Sequence, residues 1–256
     1  MKPTPELLHA IFEALAYIVG ILLAILYKRR RPVPLLISKS DWQYILCGAL
    51  VGGIVGSKVV AWFFDIDALQ REWWTLDYWL RGKTVVGGLL GATLGVEATK
   101  KVLGVTVSTG DALVMPLVIG MIIGRIGCFL GGMTDNTFGT VTSATFPLAW
   151  DFGDGLPRHP TQLYEIAFLV AIGLLLHSIR IASLAPGDRF KIFMVTYFLF
   201  RLVIDEWKPY PDVLIGLNAI QVTAVLGLLY YARDIARAMK GAKAWACGDV
   251  AGTTLK

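Results

Sequence analysis

Seven runs of mostly apolar residues, separated by short polar stretches, organise this chain. They lie at about Leu7–Tyr27, Gln43–Phe64, Val85–Val102, Ala112–Leu130, Leu163–Ile181, Phe190–Trp207 and Val213–Ala232. Most are near the length an α-helix needs to cross the hydrocarbon core of a bilayer. The third is short and glycine-rich, so its ends are the least defined. The pattern predicts an all-α polytopic membrane protein: one integral-membrane domain over residues 1–256 with seven transmembrane helices. The first run has no basic region ahead of it and no small-residue cleavage pattern behind it, so it is read as a retained helix. Composition agrees, with 55% hydrophobic and 17% charged residues. A soluble protein has no use for so many full-length apolar runs.

The basic residues orient the spans. Lys28, Arg29, Arg30 and Arg31 follow the first, Lys100 and Lys101 the third, and Arg180, Arg189 and Lys191 flank the gap between the fifth and sixth. Arg233, Arg237, Lys240 and Lys243 follow the seventh. Of the 24 Lys and Arg, 15 fall on this side, six on the other, and three (Lys58, Arg125, Arg201) within spans. The positive-inside rule then places the N-terminus outside and the C-terminus in the cytoplasm, which an odd number of spans also requires. These flanks account for the net charge of +5 and give no reason to expect nucleic acid as a partner. The three cysteines, Cys47, Cys128 and Cys247, have neither a disulfide framework nor metal-ligand spacing and read as small apolar residues. No cofactor or metal is expected.

Two outer segments are long enough to have structure of their own. Residues 65–84, with Trp73, Trp74, Tyr78 and Trp79 among charges, read as an interfacial segment. Residues 131–161 are rich in Gly, Asp, Asn, Pro and Thr and read as an outer-face loop carrying motifs. The cytoplasmic loops are short and basic, so any chemistry belongs at the outer leaflet.

Several polar residues lie where a bilayer makes them costly. An arginine at the helix centre costs roughly 3 kcal/mol to insert, which makes intramembrane arginines functional candidates. Arg125, in "GRIGCFLGG", has Met121, Ile122, Cys128 and Phe129 three and four residues away. Its partner must come from another helix, a carbonyl, water or a ligand. Arg201, in "YFLFRLVIDEW", has Asp205 on its own helix face at i+4. Two arginines near one leaflet favour an anion, and phosphate suits the guanidinium fork. The commonest phosphate at that depth is a phospholipid head group. In "RHPTQLYE", Pro160 opens a helix with Thr161 and Gln162 in its first turn. Small residues in "GGIVGSK" and "VVGGLLGATLG" are at helix-packing spacing, with an acyl-chain groove as the sharper reading.

Taken in order, "AYIVG", "GGIVG", the "GG" of span three, "GDALVMPLVIGMIIGRIGCF", "RHPTQLYE" and "FRLVIDEW" resemble the prolipoprotein diacylglyceryl transferase family over nearly the whole chain. That family has seven spans with the N-terminus outside. It moves the diacylglyceryl group of phosphatidylglycerol onto the lipobox cysteine of a secreted prolipoprotein, releasing glycerol phosphate. The resemblance implies Arg125 and Arg201 as the essential arginines. It matches Asp111 to the acid opening span four, Asp205 to a family glutamate, and Gly139 to the glycine closing the signature. His159, Gln162, Tyr164 and Glu165 keep the family's "HP[ST]QLYE" pattern. Five departures stand out. Cys128 replaces an asparagine and Val86 replaces a histidine before Gly87 and Gly88. Asp135 and Asn136 lie near the signature glutamate. Ile54 replaces an arginine, with Lys58 a turn away, and Glu13 falls near a family tyrosine.

These residues predict a phospholipid-dependent transferase in the bacterial cytoplasmic (inner) membrane, multi-pass, with its active site facing the outer leaflet. Arg125 and Arg201 would stabilise the leaving phosphate, with His159 as a base or as an anchor of the loop. Lys83, Gly87, Gly88, Asp111, Cys128, Asp135, Asn136, Gly139, Gln162, Tyr164, Glu165 and Asp205 would line the substrate site. The expected partners are phosphatidylglycerol or a related phospholipid, an acceptor that is either a secreted prolipoprotein or another molecule taken by a diverged relative, and the membrane itself. Two other readings stand beside it: a non-catalytic lipid-binding or assembly protein on the same scaffold, and a small transporter or flippase. The isolated Lys58, Glu97 and His177 of the inner half count against transport.

Overall fold

A computed structural model describes residues 4–30, 37–63, 66–80, 82–179 and 184–238. Phe64 and Ile181, expected to end spans two and five, lie outside the described residues, as do Arg31, Asp65, Arg180, Lys240, Lys243 and Cys247. The described residues include the helices α1 (Pro5–Arg30), α2 (Lys39–Trp62), α3 (Ile66–Glu72), α4 (Leu76–Leu80), α5 (Val85–Leu103), α6 (Val114–Gly131), α7 (Thr161–Ser178), α8 (Asp188–Ile204) and α9 (Ala219–Tyr230). Two small antiparallel hairpins join them, β1 (Trp150–Asp151) with β2 (Pro157–Arg158), and β3 (Asp212–Leu214) with β4 (Leu217–Asn218).

Four helical stretches are long and apolar enough to cross a membrane: Pro5–Tyr27, Lys39–Trp62, Asp111–Asp135 and Thr161–Ser178. The other three expected spans are less uniform. α5 carries Glu97, Lys100 and Lys101 near its end, α8 has 17 residues and includes four charges, and α9 has 12. The expected seventh span also starts later than its sequence suggests. Val213 and Leu214 belong to β3, and the helix begins only after Asn218. There Asn218 accepts from the amides of Ile220 and Gln221, while Gln221 returns a side-chain bond to the Asn218 amide. This capping box fixes the start of α9. A turn at Tyr231 ends it, and residues 232–238 are helical again.

The apolar faces explain what surrounds the bundle. Tyr17, Ile18, Ile21 and Leu22 of α1, and Leu50, Val51 and Ile54 of α2, are each more than half exposed. Stripes this apolar along full-length helices belong against lipid. The core lies on the other side, where Val86, Val118, Leu169, Leu176, Phe193, Met194, Phe198 and Ala224 bring α5 to α9 together.

Glycine sets the closest approaches. α2 and α5 meet along Gly48, Gly52 and Gly56 facing Gly95, Gly91 and Gly87. A Cβ on Gly52 would stand 2.3 Å from the Gly91 carbonyl oxygen, and one on Gly91 2.2 Å from that of Gly52. Only backbone against backbone fits there. Neighbouring Gly88 is roomier, its added Cβ meeting nothing nearer than 3.7 Å. α1 runs against α6 in a similar way, with Gly127 of α6 pressed on the Phe12 side chain.

One end of the bundle collects the polar residues. The starts of α1, α5, α7 and α9 meet the ends of α2, α6 and α8 there. The Thr84 amide donates to Ser57 Oγ, and Lys58 Nζ donates to the Gly82 carbonyl. At the far end, Asp111 accepts from the amides of Gly187 at 2.6 Å and Phe190 at 3.0 Å, tying the start of α6 to the start of α8. Two short helices, α3 and α4, follow α2, and α4 packs back on the end of α2. Trp62 and Trp79 stack edge-to-face there, and the Tyr78 hydroxyl donates to the Trp62 carbonyl.

Candidate active site

Arg125 finds its counter-charge forty residues away. It sits in the penultimate turn of α6, 8% exposed, with Nε 2.9 Å from Glu165 Oε2. Glu165 occupies the first turns of α7 and is 1% exposed. Arg201, near the end of α8, approaches the same oxygen at 3.9 Å. Arg201 also holds Asp205 through two bonds, Nε to Oδ2 at 2.6 Å and Nη2 to Oδ1 at 2.8 Å. Tyr197, one turn before Arg201, donates to Glu165 Oε1 at 2.8 Å and accepts from Arg201 Nη1 at 3.3 Å. Lys208 places Nζ 3.5 Å from Asp205 Oδ1 and is itself 5% exposed. Three cations therefore surround two carboxylates, which leaves one positive charge in a buried site. Lys208, beyond the end of α8, is pushed down to about 8 by its burial, with the Arg201 guanidinium adding to the effect.

The two arginines are thus brought together, through a shared carboxylate rather than around an open space. Glu165 was named from the sequence without this role. Tyr197 and Lys208 were not named at all. Their signals were present, since Tyr197 precedes Arg201 by four residues and Lys208 follows Asp205 by three.

The loop between α6 and α7 is built against this cluster. The Thr161 hydroxyl donates to the Thr137 carbonyl at 2.6 Å, and Gln162 Nε2 donates to Thr137 Oγ1 at 3.1 Å. Buried Gln162 Oε1 has no hydrogen-bond partner among the described residues. Gly139 crosses under His159, where an added Cβ would fall 2.6 Å from His159 Cβ, and its amide donates to the His159 carbonyl. Tyr164 donates its hydroxyl to the Leu148 carbonyl at 2.7 Å, so it accepts from His159 Nδ1 at 3.1 Å. The His159 ring also stacks on Trp207, at 5.3 Å between centroids. His159 is therefore an anchor of the loop, with Nδ1 engaged. Asn136 takes a left-handed turn at φ 53° and receives the Tyr210 hydroxyl on its carbonyl.

A second polar string starts on α1. His9 Nδ1 is 2.7 Å from Asp135 Oδ1, and its Nε2 is 3.8 Å from Glu13 Oε2. Glu13 receives Lys83 and the Tyr17 hydroxyl. Asp135 accepts from Thr137 on its other oxygen. Cys128 lies between the two strings, its Sγ 3.6 Å from Arg125 Nη1. Lys83, Cys128 and Asp135 thus join the site, together with His9 and Glu13, which the sequence reading left aside. Their i, i+4 spacing on the first helix was the available signal.

Asp111 does not join it. It lies at the opposite end of α6, about 21 Å away along the helix axis, and both its oxygens are taken, by the amides of Gly187 just before α8 and Phe190 within it. Gly87 lies in the α2–α5 seam against the Gly56 carbonyl, where close packing accounts for it.

The fold and this site define a helical membrane protein with a buried, cation-rich pocket of side chains at one end of its bundle. Residues 9–237 match the sequence pattern of the prolipoprotein diacylglyceryl transferases, and the chain belongs to that family. Relatives named phosphatidylglycerol–prolipoprotein diacylglyceryl transferase include one from Beijerinckia indica subsp. indica, 33% identical over 225 residues, covering 79% of this chain and 78% of the relative. Another, from Rhodospirillum rubrum, is 31% identical over 224 residues, covering 82% and 79%. A third, from Legionella pneumophila strain Paris, is 30% identical over 179 residues, covering 69% and 67%.

Proposed function

We propose that this protein transfers the diacylglyceryl group of phosphatidylglycerol, or of a closely related phospholipid, to the lipobox cysteine thiol of a secreted prolipoprotein. The thiol sulfur, once deprotonated, attacks the glyceryl carbon that carries the phosphate. The carbon–oxygen bond breaks, its electron pair passes to the phosphate oxygen, and glycerol phosphate leaves. The new bond is a thioether. The observation that carries this reading is the buried cluster of Arg125, Arg201 and Lys208 around Glu165 and Asp205, with its net positive charge.

Arg125 and Arg201 supply the positive field for the leaving phosphate. Preorganised charge of this kind is commonly worth two to three orders of magnitude in rate. Glu165 and Tyr197 hold the two guanidinium groups in place before lipid arrives. Gln162, whose buried oxygen has no hydrogen-bond partner among the described residues, offers an acceptor for a glycerol hydroxyl. His159 keeps the 137–140 segment against the start of α7.

The site faces the outer leaflet of the bacterial inner membrane, and the chain crosses seven times with its N-terminus outside. The alternating directions of α1, α2, α5, α6, α7, α8 and α9 support this, since they put the polar cluster at one end and the basic flanks at the other. On this reading, residues 66–80 lie along the interface and 131–161 form the outer loop.

The test uses purified protein in phosphatidylglycerol-containing vesicles with labelled lipid and a lipobox peptide. Thioether-labelled peptide is the expected product, and Arg125→Ala should reduce its formation at least 100-fold. Absence of labelled peptide from folded, lipid-binding protein would defeat the proposal. In cells, the gene should restore growth to a strain depleted of its own transferase.

A further inference from the structure

Between α1 and the outer loop stands a group of ligand-type atoms that the transfer reaction as derived does not use. His9, Cys128 and Asp135 come from the start of α1, the last turn of α6 and the short turn that follows it. Their donor atoms all lie within 4.8 Å of one another. A tetrahedral zinc site, with bonds of about 2.0 Å to nitrogen and oxygen and 2.3 Å to sulfur, puts its ligand atoms about 3.3 to 3.8 Å apart. His9 Nδ1 and Asp135 Oδ1, now 2.7 Å apart, would open by about 0.6 Å, and the widest of the three separations would close by about 1 Å. The mixture of imidazole, thiolate and carboxylate suits a borderline cation such as zinc and not calcium or magnesium, which prefer all-oxygen shells.

The surroundings carry the inference further than the three residues alone. A metal-bound histidine normally gives its other ring nitrogen to a carboxylate, which fixes the ring and raises its basicity. Here Nδ1 faces Asp135 and Nε2 faces Glu13, and Glu13 is itself held by Lys83 and Tyr17. The carboxylate ligand is likewise supported, since its second oxygen receives the Thr137 hydroxyl, which in turn receives Gln162. The Arg125 guanidinium lies 3.6 Å from Sγ and would face the thiolate that metal coordination itself produces. The close approach of α1 to α6 at Gly127 and Gly131 delivers His9 to this point. An added Cβ on Gly131 would stand 3.5 Å from His9 Nδ1.

We propose that His9, Cys128 and Asp135 bind a zinc-class divalent cation, and that its fourth position takes the acceptor thiol. The second clause rests on the transferase reading. Three protein ligands leave one position open, as in catalytic zinc sites. A thiol entering that position displaces a water and loses its proton to solvent, because a coordinated thiol is deprotonated outright. The resulting thiolate is the nucleophile for the glyceryl carbon, and it lies beside Arg125, which faces the phosphate. This supplies the deprotonation step in a chain that has Val86 where the resembled family has a histidine.

Cobalt(II) is the direct probe, titrated into the metal-free full-length protein in detergent. One equivalent should produce a thiolate-to-cobalt charge-transfer band and tetrahedral ligand-field bands, and zinc should displace it. The charge-transfer band should vanish in Cys128→Ser. The ligand-field bands should weaken in His9→Ala and Asp135→Ala, with affinity down at least tenfold. Glu13→Gln should keep the band and lower affinity about tenfold. No band in the wild-type protein, or a band that persists in Cys128→Ser, overturns the site. Melting curves of each variant separate lost binding from lost folding, and Cys128→Asn provides a second replacement of matched polarity. Adding lipobox peptide to the cobalt-loaded protein should intensify the charge-transfer band. An unchanged spectrum would overturn the fourth-position clause while leaving the metal site standing. Transfer activity lost with cobalt binding intact would count against the transferase reading alone.

Discussion

At the residue scale, the site is a balance of buried charges. Glu165 is the shared counter-ion of Arg125 and Arg201, and none of the three is more than 8% exposed. Removing one partner of a buried ion pair typically costs about 3 to 5 kcal/mol, because the other charge stays buried without compensation. Glu165→Gln should therefore lower stability by about 3 kcal/mol, measured by denaturation in detergent, and reduce transfer as the guanidinium groups lose their fixed positions. Lys208 gives a pH signature. Its ammonium is charged below about 8 and neutral above, so the site loses its net positive charge as pH rises through that value. Affinity for glycerol phosphate, already a dianion there, should fall between about pH 7 and 9, and Lys208→Met should remove the dependence. The sign for stability is the reverse. The folded protein gives up this proton near 8 and the unfolded chain near its ordinary 10.5, so the penalty of burying the charge is relieved between those values. The sequence made some of this legible and not the rest. Arg201 with Asp205 follows from four-residue spacing within one helix, and the pair forms as read. Arg125 was known to need a partner, but nothing local names Glu165, because only the packing of α6 on α7 brings them together. His9 was passed over for the same reason. Glu13, one turn further along α1, is a partner that spacing alone gives, but Asp135, which takes Nδ1, comes from a segment more than 100 residues later.

Elements are held at their spacing by glycine and by caps. The α2–α5 seam leaves no room for a side chain at Gly91, whose added Cβ would stand 2.2 Å from the Gly52 oxygen, whereas Gly88 one turn away has 3.7 Å. Gly91→Ala should abolish monodisperse folded protein or lower its melting temperature sharply. Gly88→Ala should be tolerated within a few degrees, although both glycines belong to the same motif. The contrast separates packing from composition, which the sequence could not do. The spacing of small residues gave the existence of a seam but not which face was innermost. The hairpin before α9 shows a different limit. Val213, Leu214 and Ile215 continue the apolar pattern of the following helix, so the run reads as one span. The structure turns it at Ile215 and Gly216, at φ 52° and 72°. A β-branched residue at positive φ is strained, and Asn is the residue that fits such a turn. Ile215, 92% exposed, has no packing to lose, so Ile215→Asn should raise the melting temperature by a few degrees.

For the molecule as a whole, the open matter is how often it crosses the bilayer, and α5 decides it. α5 starts beside the end of α2, with the Thr84 amide on Ser57, and its 19 residues carry the chain about 28 Å along the bundle before α6 returns. That distance matches a hydrocarbon core of about 30 Å. The three charges near its end and its glycine content make its sequence weakly apolar, which is why length and hydropathy alone do not select it. The glycines serve the seam with α2, and the charges fall where the chain reaches the basic face. If α5 crosses, Thr106 and the outer loop lie on opposite sides. If it does not, α6 starts on the side where α2 ended, and the cluster at the end of α6 is carried to the other leaflet together with the start of α7 that binds it. Single cysteines at Thr106 and Ser143, in a protein with Cys47, Cys128 and Cys247 replaced, distinguish these arrangements. A membrane-impermeant maleimide should label Ser143→Cys in intact spheroplasts and Thr106→Cys only after permeabilisation. Labelling of Thr106→Cys from outside would remove α5 from the spans and with it the outward-facing site.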